Sequence, residues 1–288
     1  MRVAYLITAF HQYGHLKRLI DALSDESHSA FFVHMDKKSK MPTSILAKEG
    51  VYFIDRINVW WGGWSHQQAI LNLMIEASKH HFDYYAIISG SDYPIRPLSF
   101  LYKKLEEGGE YINITKGFRT DKPELRIKYY YYDCFDRRND RSLKTRFFLE
   151  LERVQRQLLY KRHYPFSQIY HGTTWCTLSH ECVSYVLSFL ENHPDYISFY
   201  KTSWCPEESL IHTIIGNSPF ATLCKGNLTY SDWSDGAPAI INQEHVALLE
   251  AKFEFESQYG ITTPFFARKF EDSSRNVVEL IEKQLRTE

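Results

Sequence analysis

The chain has little cysteine, no long hydrophobic run and no excess of either charge. Its five cysteines (Cys134, Cys176, Cys182, Cys205, Cys224) are scattered over 288 residues, odd in number and without a CxxC pair. That pattern excludes a disulfide framework and a cysteine zinc site, and fits buried thiols in a reducing compartment. No stretch approaches the roughly 20 apolar residues that span a bilayer. The opening MRVAYLITAFHQ sets one Arg before about seven apolar residues, too short for a secretory signal. A cytoplasmic location is therefore expected, with peripheral membrane contact where the acceptor is lipid-linked. Thirty-four basic residues face 35 acidic ones, a net charge of −1, which excludes nucleic acid as a partner gripped over a broad basic surface.

Several motifs are absent as well. There is no GxGxxG, P-loop, HExxH or GxSxG, which removes the common dinucleotide, ATP, zinc-protease and serine-hydrolase chemistries. There is also no Asp-x-Asp, the pair through which many nucleotide-sugar transferases hold a divalent ion. No metal and no other cofactor is expected.

What the chain has in quantity is aromatic residues, 16% of the total with 20 Tyr, 19 Phe and 6 Trp. Such a supply suits stacking on bases or sugars as well as core filling. Apolar runs at Val3–Thr8, Ala30–His34, Val51–Ile54, Tyr84–Ser89 and Tyr111–Ile114 predict strands. Helical spacing marks His15–Leu23, a helix capped by Ser65, Leu98–Glu106, Ser142–Arg162, His180–Leu190, one opening at Pro206, and Arg275–Leu285. This alternation predicts an α/β fold with a central, mostly parallel sheet flanked by helices, and ligands at the carboxyl ends of its strands. Without repeats or a low-complexity linker, one domain is expected over 1–288. Residues 1–115 form a nucleotide-binding half and 116–288 an acceptor and catalytic half. The polar, aromatic stretch Lys116–Arg141 lacks any period and reads as a mobile loop or acceptor-side insertion.

Four clusters could carry chemistry. In CPEES, Glu207 and Glu208 sit in the first turn of a helix begun by Pro206, where acidic residues are favoured on electrostatic grounds alone. Side chains of adjacent helical residues point about 100° apart, so one of the two can face a cleft as a general base. In FFARKFED, Arg268 and Lys269 form either a solvated basic face or a phosphate clamp. In VWWGGWS, two glycines and three tryptophans form a tight turn or a stacking surface; in SGSDYPI, Asp92 opens a turn or faces a ligand.

Together the segments YLITAFHQ, VHMDKKS, VWWGGWSHQQAILNLM, DYYAIISGSDYPI, HGTTWCTLSHECVSYVL, CPEESLIHTIIGNS and FFARKF resemble, in order, the Core-2/I-branching β-1,6-N-acetylglucosaminyltransferases. These form glycosyltransferase family 14, which includes the peptide O-xylosyltransferases. The resemblance implies a GT-A-type fold, inversion at the anomeric carbon and independence of metal. It implies a UDP-sugar donor, N-acetylglucosamine first with xylose or a hexose such as galactose or glucose as the alternative, and a glycan or lipid-linked glycan acceptor. The family's catalytic base ends a Pro-Asp-Glu motif that stands here as Pro206-Glu207-Glu208, giving the role to Glu208. Its diphosphate contact falls on Lys269 with Arg268 beside it. His34, Asp36 and Asp92 fall on the donor side; Trp233, Glu207 and Trp175 fall on the acceptor side. Few cysteines and a start at the first strand suggest a bacterial member, acting in surface polysaccharide synthesis. Two other readings remain: a glycoside hydrolase pairing Glu207 or Glu208 with a second carboxylate such as Asp92, and a silent carbohydrate- or nucleotide-binding protein.

Overall fold

VAYLITA, SAFFVHM and YYAIIS are apolar along nearly their whole length, as strands covered on both faces must be. They form β1 (Val3–Ala9), β2 (Ser29–Met35) and β4 (Tyr84–Ser89) of a computed structural model that describes residues 1–25, 27–137, 139–158, 162–257 and 260–287. Between them lie α1 (Tyr13–Leu23), β3 (Val51–Phe53) and α2 (Trp64–Ser78). The chain continues through β5 (Asp92–Pro94), α3 (Leu98–Glu106), β6 (Glu110–Tyr111), β7 (Thr115–Lys116), α4 (Leu125–Lys128) and α5 (Leu143–Gln157). Next come β8 (Tyr170–His171), β9 (Cys176–Ser179), α6 (His180–Asn192), α7 (Pro194–Tyr200), α8 (Leu210–Gly216), β10 (Cys224–Lys225) and β11 (Thr229–Ser231). The chain closes with α9 (Gln243–Ala251), β12 (Phe255–Ser257), β13 (Gly260–Thr262), β14 (Phe266–Arg268) and α10 (Arg275–Gln284).

The main sheet runs β10-β6-β9-β4-β1-β2-β3. Strands β3, β2, β1 and β4 are parallel, and β9 is antiparallel to both β4 and β6. This is the expected α/β class with a mostly parallel sheet. The sheet also crosses residue 115, because β9 and β10 join strands from the first part of the chain.

Side chains alternate across the sheet, and β1 shows what this does to the core. Val3, Tyr5 and Ile7 pack with Leu16 and Leu19 of α1, Val246 of α9 and Ile281 of α10. Ala4 and Leu6 face the other way, with Ile70 and Met74 of α2, Val183 of α6 and Leu210 of α8. Helices therefore cover both faces, leaving the strand ends for polar residues. No helix among the described residues is long and apolar enough to cross a membrane.

The structure departs from the sequence reading in five places. The strand expected over Tyr111–Ile114 is only Glu110–Tyr111, and the chain enters a strand again at Thr115. Helix α2 begins at Trp64, so Ser65 lies inside it; its hydroxyl accepts from the Trp60 amide (2.8 Å) instead of capping. Pro206–Glu208 is a three-residue 3-10 turn that breaks at Ser209 (φ −145°) before α8 begins. The two glutamates are thus not in the first turn of an α-helix, and the helix-dipole argument does not apply to them. The helix read over Ser142–Arg162 is α5, capped by the Ser142 hydroxyl; residues 159–161 lie outside the described residues. Lys116–Arg141 contains α4 and extensive long-range hydrogen bonds in place of a featureless loop; residue 138 lies outside the described residues.

Candidate active site

The WWGGW turn and the Trp204–Cys205 corner fit into each other. Cys205 has a left-handed backbone (φ 49°) and its amide donates to Gly62 O at 2.8 Å. Gly62 itself has φ +71°, and a Cβ there would lie 2.6 Å from the Trp204 ring, so glycine alone fits. The corner delivers the 3-10 turn Pro206–Glu208 against the start of α2.

Adjacent glutamates in that turn diverge. Glu208 is partly exposed, and its Oε2 accepts from both Lys122 Nζ and Arg126 Nη1. Burial works to raise its pKa, but the two cations outweigh it and the net shift is downward, keeping the carboxylate ionised. The main chain fixes it too, since Gly172 N donates to Glu208 O at 3.0 Å. Two neighbouring histidines are poor rivals as bases. His171 is pushed down to about 4 and His212 to about 3, in both cases chiefly by burial.

Glu207 turns inward. Its Oε1 lies 3.3 Å from His66 Nδ1, while Oε2 is buried without a hydrogen-bond partner. Asp133 Oδ1 and both amide atoms of Gln67, next to His66 on α2, are also buried and unpartnered. Asp133 accepts through Oδ2 from the Ser65 amide, capping α2 from the middle of the chain. Glu207 and Asp133 therefore each keep a carboxylate oxygen with hydrogen-bonding capacity to spare near the start of α2.

The FARKF segment lies beside this region through Trp175. Strand β14 is antiparallel to β5, which sets Arg268 directly opposite Asp92. Arg268 Nε donates to Asp92 Oδ1 at 3.1 Å, and Ser89 supplies its amide (2.8 Å) and hydroxyl (2.6 Å) to the same carboxylate. Burial pulls the Arg268 pKa down and pushes that of Asp92 up, each opposed by the other's charge. The guanidinium also stacks on Trp175, 4.3 Å from the ring, and Trp175 meets His66 edge-on. Arg268 and Asp92, both assigned to the donor side, are thus partners of each other. Trp175 is buried beneath Arg268 and presents no open stacking face.

Lys269 connects two C-terminal segments through its backbone, donating to Ala239 O (3.1 Å) and accepting from the Ile241 amide (2.9 Å). The same stretch carries Trp233, which is 55% exposed with its indole nitrogen on Ser231 Oγ. On the sheet edge, Asp36 follows β2 and binds Lys38, whose ammonium lies 4.3 Å from the Trp60 ring. His34 is buried and accepts from the Ile57 amide through Nε2 (3.1 Å); burial lowers its pKa to about 4, so it is neutral and holds the loop after β3. Among the described residues, no group of three His, Cys, Asp or Glu side chains is placed to hold a metal ion.

Lys122, Arg126, Asp133 and His66 escaped the sequence reading. Each acts on a residue far along the chain, from 68 to 141 positions away in the cases of Asp133 on Ser65 and His66 on Glu207, and no local pattern marks such contacts.

The chain is 25% identical over 292 residues to xylosyltransferase 1 of Rattus norvegicus, covering 94% of this chain and 34% of the relative. It is 26% identical over 315 residues to xylosyltransferase 2 of Mus musculus, covering 99% and 34%. The chain therefore spans about a third of the length of the curated relatives it matches. Among solved structures, mouse xyloside xylosyltransferase 1 in its apo form aligns over 90% of this chain and 97% of that one, at 11% identity and a TM-score of 0.34. The Core-2/I-Branching enzyme family model matches residues 3–252, and the chain belongs to that family of glycosyltransferases.

Proposed function

We propose that the chain is an inverting glycosyltransferase that moves a sugar from a UDP-sugar to a carbohydrate hydroxyl without a metal ion, with Glu208 as the base. The observation that carries this reading is the Glu208 carboxylate, ionised and held through one oxygen by Lys122 and Arg126. Its Oε1 is then the oxygen offered to the acceptor. A carboxylate with a lowered pKa is a weak base toward a free hydroxyl. The proton moves late, however, once the acceptor oxygen is bonding to the sugar C1 and has become strongly acidic, and a weak base then suffices.

The unpartnered carboxylate oxygens of Glu207 and Asp133 near the start of α2 support an acceptor subsite there, because sugar hydroxyls can donate to them. Exposed Trp233 offers a stacking face for a sugar. Lys269 is the proposed diphosphate contact, with Arg268 and Asp92 fixing the strand that ends just before it. Leaving-group charge would be met by this fixed cation. The absence of Asp-x-Asp supports the metal-free reading. N-acetylglucosamine is the proposed sugar; xylose is the second reading, favoured by relatives named xylosyltransferases. Surface polysaccharide synthesis is the proposed setting.

UDP release from UDP-N-acetylglucosamine and UDP-xylose, with and without glycan acceptors, tests the activity. Glu208→Gln should lower acceptor-dependent release by about a hundredfold or more while UDP binding persists, the scale expected of a lost general base. Wild-type turnover in that variant would remove Glu208 from the role. EDTA should leave the rate unchanged; inhibition reversed by manganese would overturn the metal-free reading.

A further inference from the structure

Helix α5 is attached to the protein by the wrong face for an ordinary amphipathic helix. Thr145 and Glu152 are its buried residues. Glu152 takes the Arg137 guanidinium (2.8 Å from Nη1 to Oε2) and the Tyr132 amide, and Gln155 exchanges hydrogen bonds with the Tyr130 backbone. Helical residues advance about 100° each, so Leu143, Phe147, Leu151, Val154 and Leu158 fall within an arc of about 80° on the opposite side. Those five are 81, 61, 36, 39 and 73% exposed. Polar contacts, together with Phe148 packed on Tyr132 and Phe135, anchor the helix, while its stripe of five apolar residues faces solvent. A contiguous stripe of this kind marks an interaction surface, not the ordinary scatter of exposed apolar residues.

Charge selects the occupant. Of the five basic residues between 141 and 158, Arg156 lies on the anchored side over Tyr129 and Arg153 pairs with Glu150, while Glu152 is buried on Arg137; Arg141, Lys144 and Arg146 are left exposed at the N-terminal end of the stripe. The whole chain carries a net charge of −1, so this basic excess is local. A second copy meeting this face about a twofold axis would bring like charges together. An apolar stripe bordered by Arg and Lys matches an anionic lipid surface, with the stripe entering the acyl boundary and the cations meeting headgroups.

We propose that the outer face of α5 docks the protein on an anionic membrane, the helix lying in the plane of the interface. Helix α5 packs on Tyr130–Arg137, the continuation of the segment that supplies Lys122 and Arg126 to Glu208. Docking there brings the proposed acceptor side of the site close to the lipid headgroups. The docking claim stands without the transfer reading, because its test measures binding.

The purified chain is co-sedimented with phosphatidylcholine vesicles, with and without phosphatidylglycerol, at low and raised salt. Binding should require phosphatidylglycerol and weaken with salt. Leu143→Glu with Phe147→Glu, and separately Arg141→Glu with Arg146→Glu, should each weaken it by about tenfold or more. All four positions are exposed, and circular dichroism checks that the fold is kept. UDP release with a soluble acceptor should be the same in the variants as in the wild type. Three results would overturn the proposal: no binding to anionic vesicles, equal binding by both variants, or a wild-type dimer in solution that the Leu143/Phe147 variant dissolves, assigning the stripe to a second copy.

Discussion

At the scale of single residues, the site depends on how Glu208 is kept charged. Two cations hold one of its oxygens, and the resulting pKa lies below the ordinary carboxylate value despite burial. Replacing Lys122 with Met removes one of them and leaves the desolvation in place. The Glu208 pKa should then rise, by about one unit or more for the loss of an adjacent opposite charge. In a pH profile of kcat/KM, the acidic limb should move to higher pH by that amount, while Arg126 still holds the carboxylate. An unmoved limb would mean that Lys122 does not set the ionisation of the base. Glu208 could be picked out in the sequence because its neighbours Cys205-Pro206-Glu207 are contiguous. Lys122 and Arg126 could not, since they lie 86 and 82 residues away in a stretch with no period. The pairing of Arg268 with Asp92, 176 residues apart, was hidden in the same way. Each was visible as a motif, and only the β5–β14 register shows that they neutralise each other.

At the scale of elements, the long strands and the helices packed on them were readable because burial leaves a periodic trace. Tyr84–Ser89 and Leu98–Glu106 have the bounds that their apolar pattern predicts. Strands β5 and β14 have only three residues each, one containing Pro94 and the other ending in a charge, so neither shows a strand-like pattern. The start of α2 shows a further limit. Its cap is the side chain of Asp133, supplied by another part of the chain, while the nearby Ser65 only resembles one. Gly63 makes room for this, since a Cβ there would lie 2.0 Å from Asp133 Oδ1. Asp133→Ala should therefore cost about 1–2 kcal/mol, the range for a lost N-cap. A urea unfolding series measures the loss, and an unshifted midpoint would show that α2 is capped by other means. Gly63→Ala should be destabilising as well, because the methyl group would displace the same carboxylate.

At the scale of the whole molecule, both core layers and the site loops bury histidines in neutral form. His15 and His34 are held down at about 4, as is His171, and His212 at about 3, with burial the largest cause in each case. Each ring also has a hydrogen-bond partner: His15 with Asp92 O, His34 with the Ile57 amide, His171 with Gly117 O and His212 with Thr173 O. An unfolded chain would protonate the same four rings near the ordinary value of about 6.5. Between that pH and about 4 the unfolded state therefore binds more protons than the folded one, and stability must fall as pH falls. Above about 6.5 all four are neutral in both states and contribute no slope. Each ring can contribute at most about 1.4 kcal/mol per pH unit within the window. Lowered carboxylates such as Glu208 add to the loss only further down, below their own unfolded values. Thermal melts should therefore show a Tm that is flat near neutrality and declines steadily from about pH 6.5 toward 4. His212→Gln should flatten part of that decline even if it lowers the plateau. A wild-type Tm constant across the window would mean that these four rings are not buried in the neutral state.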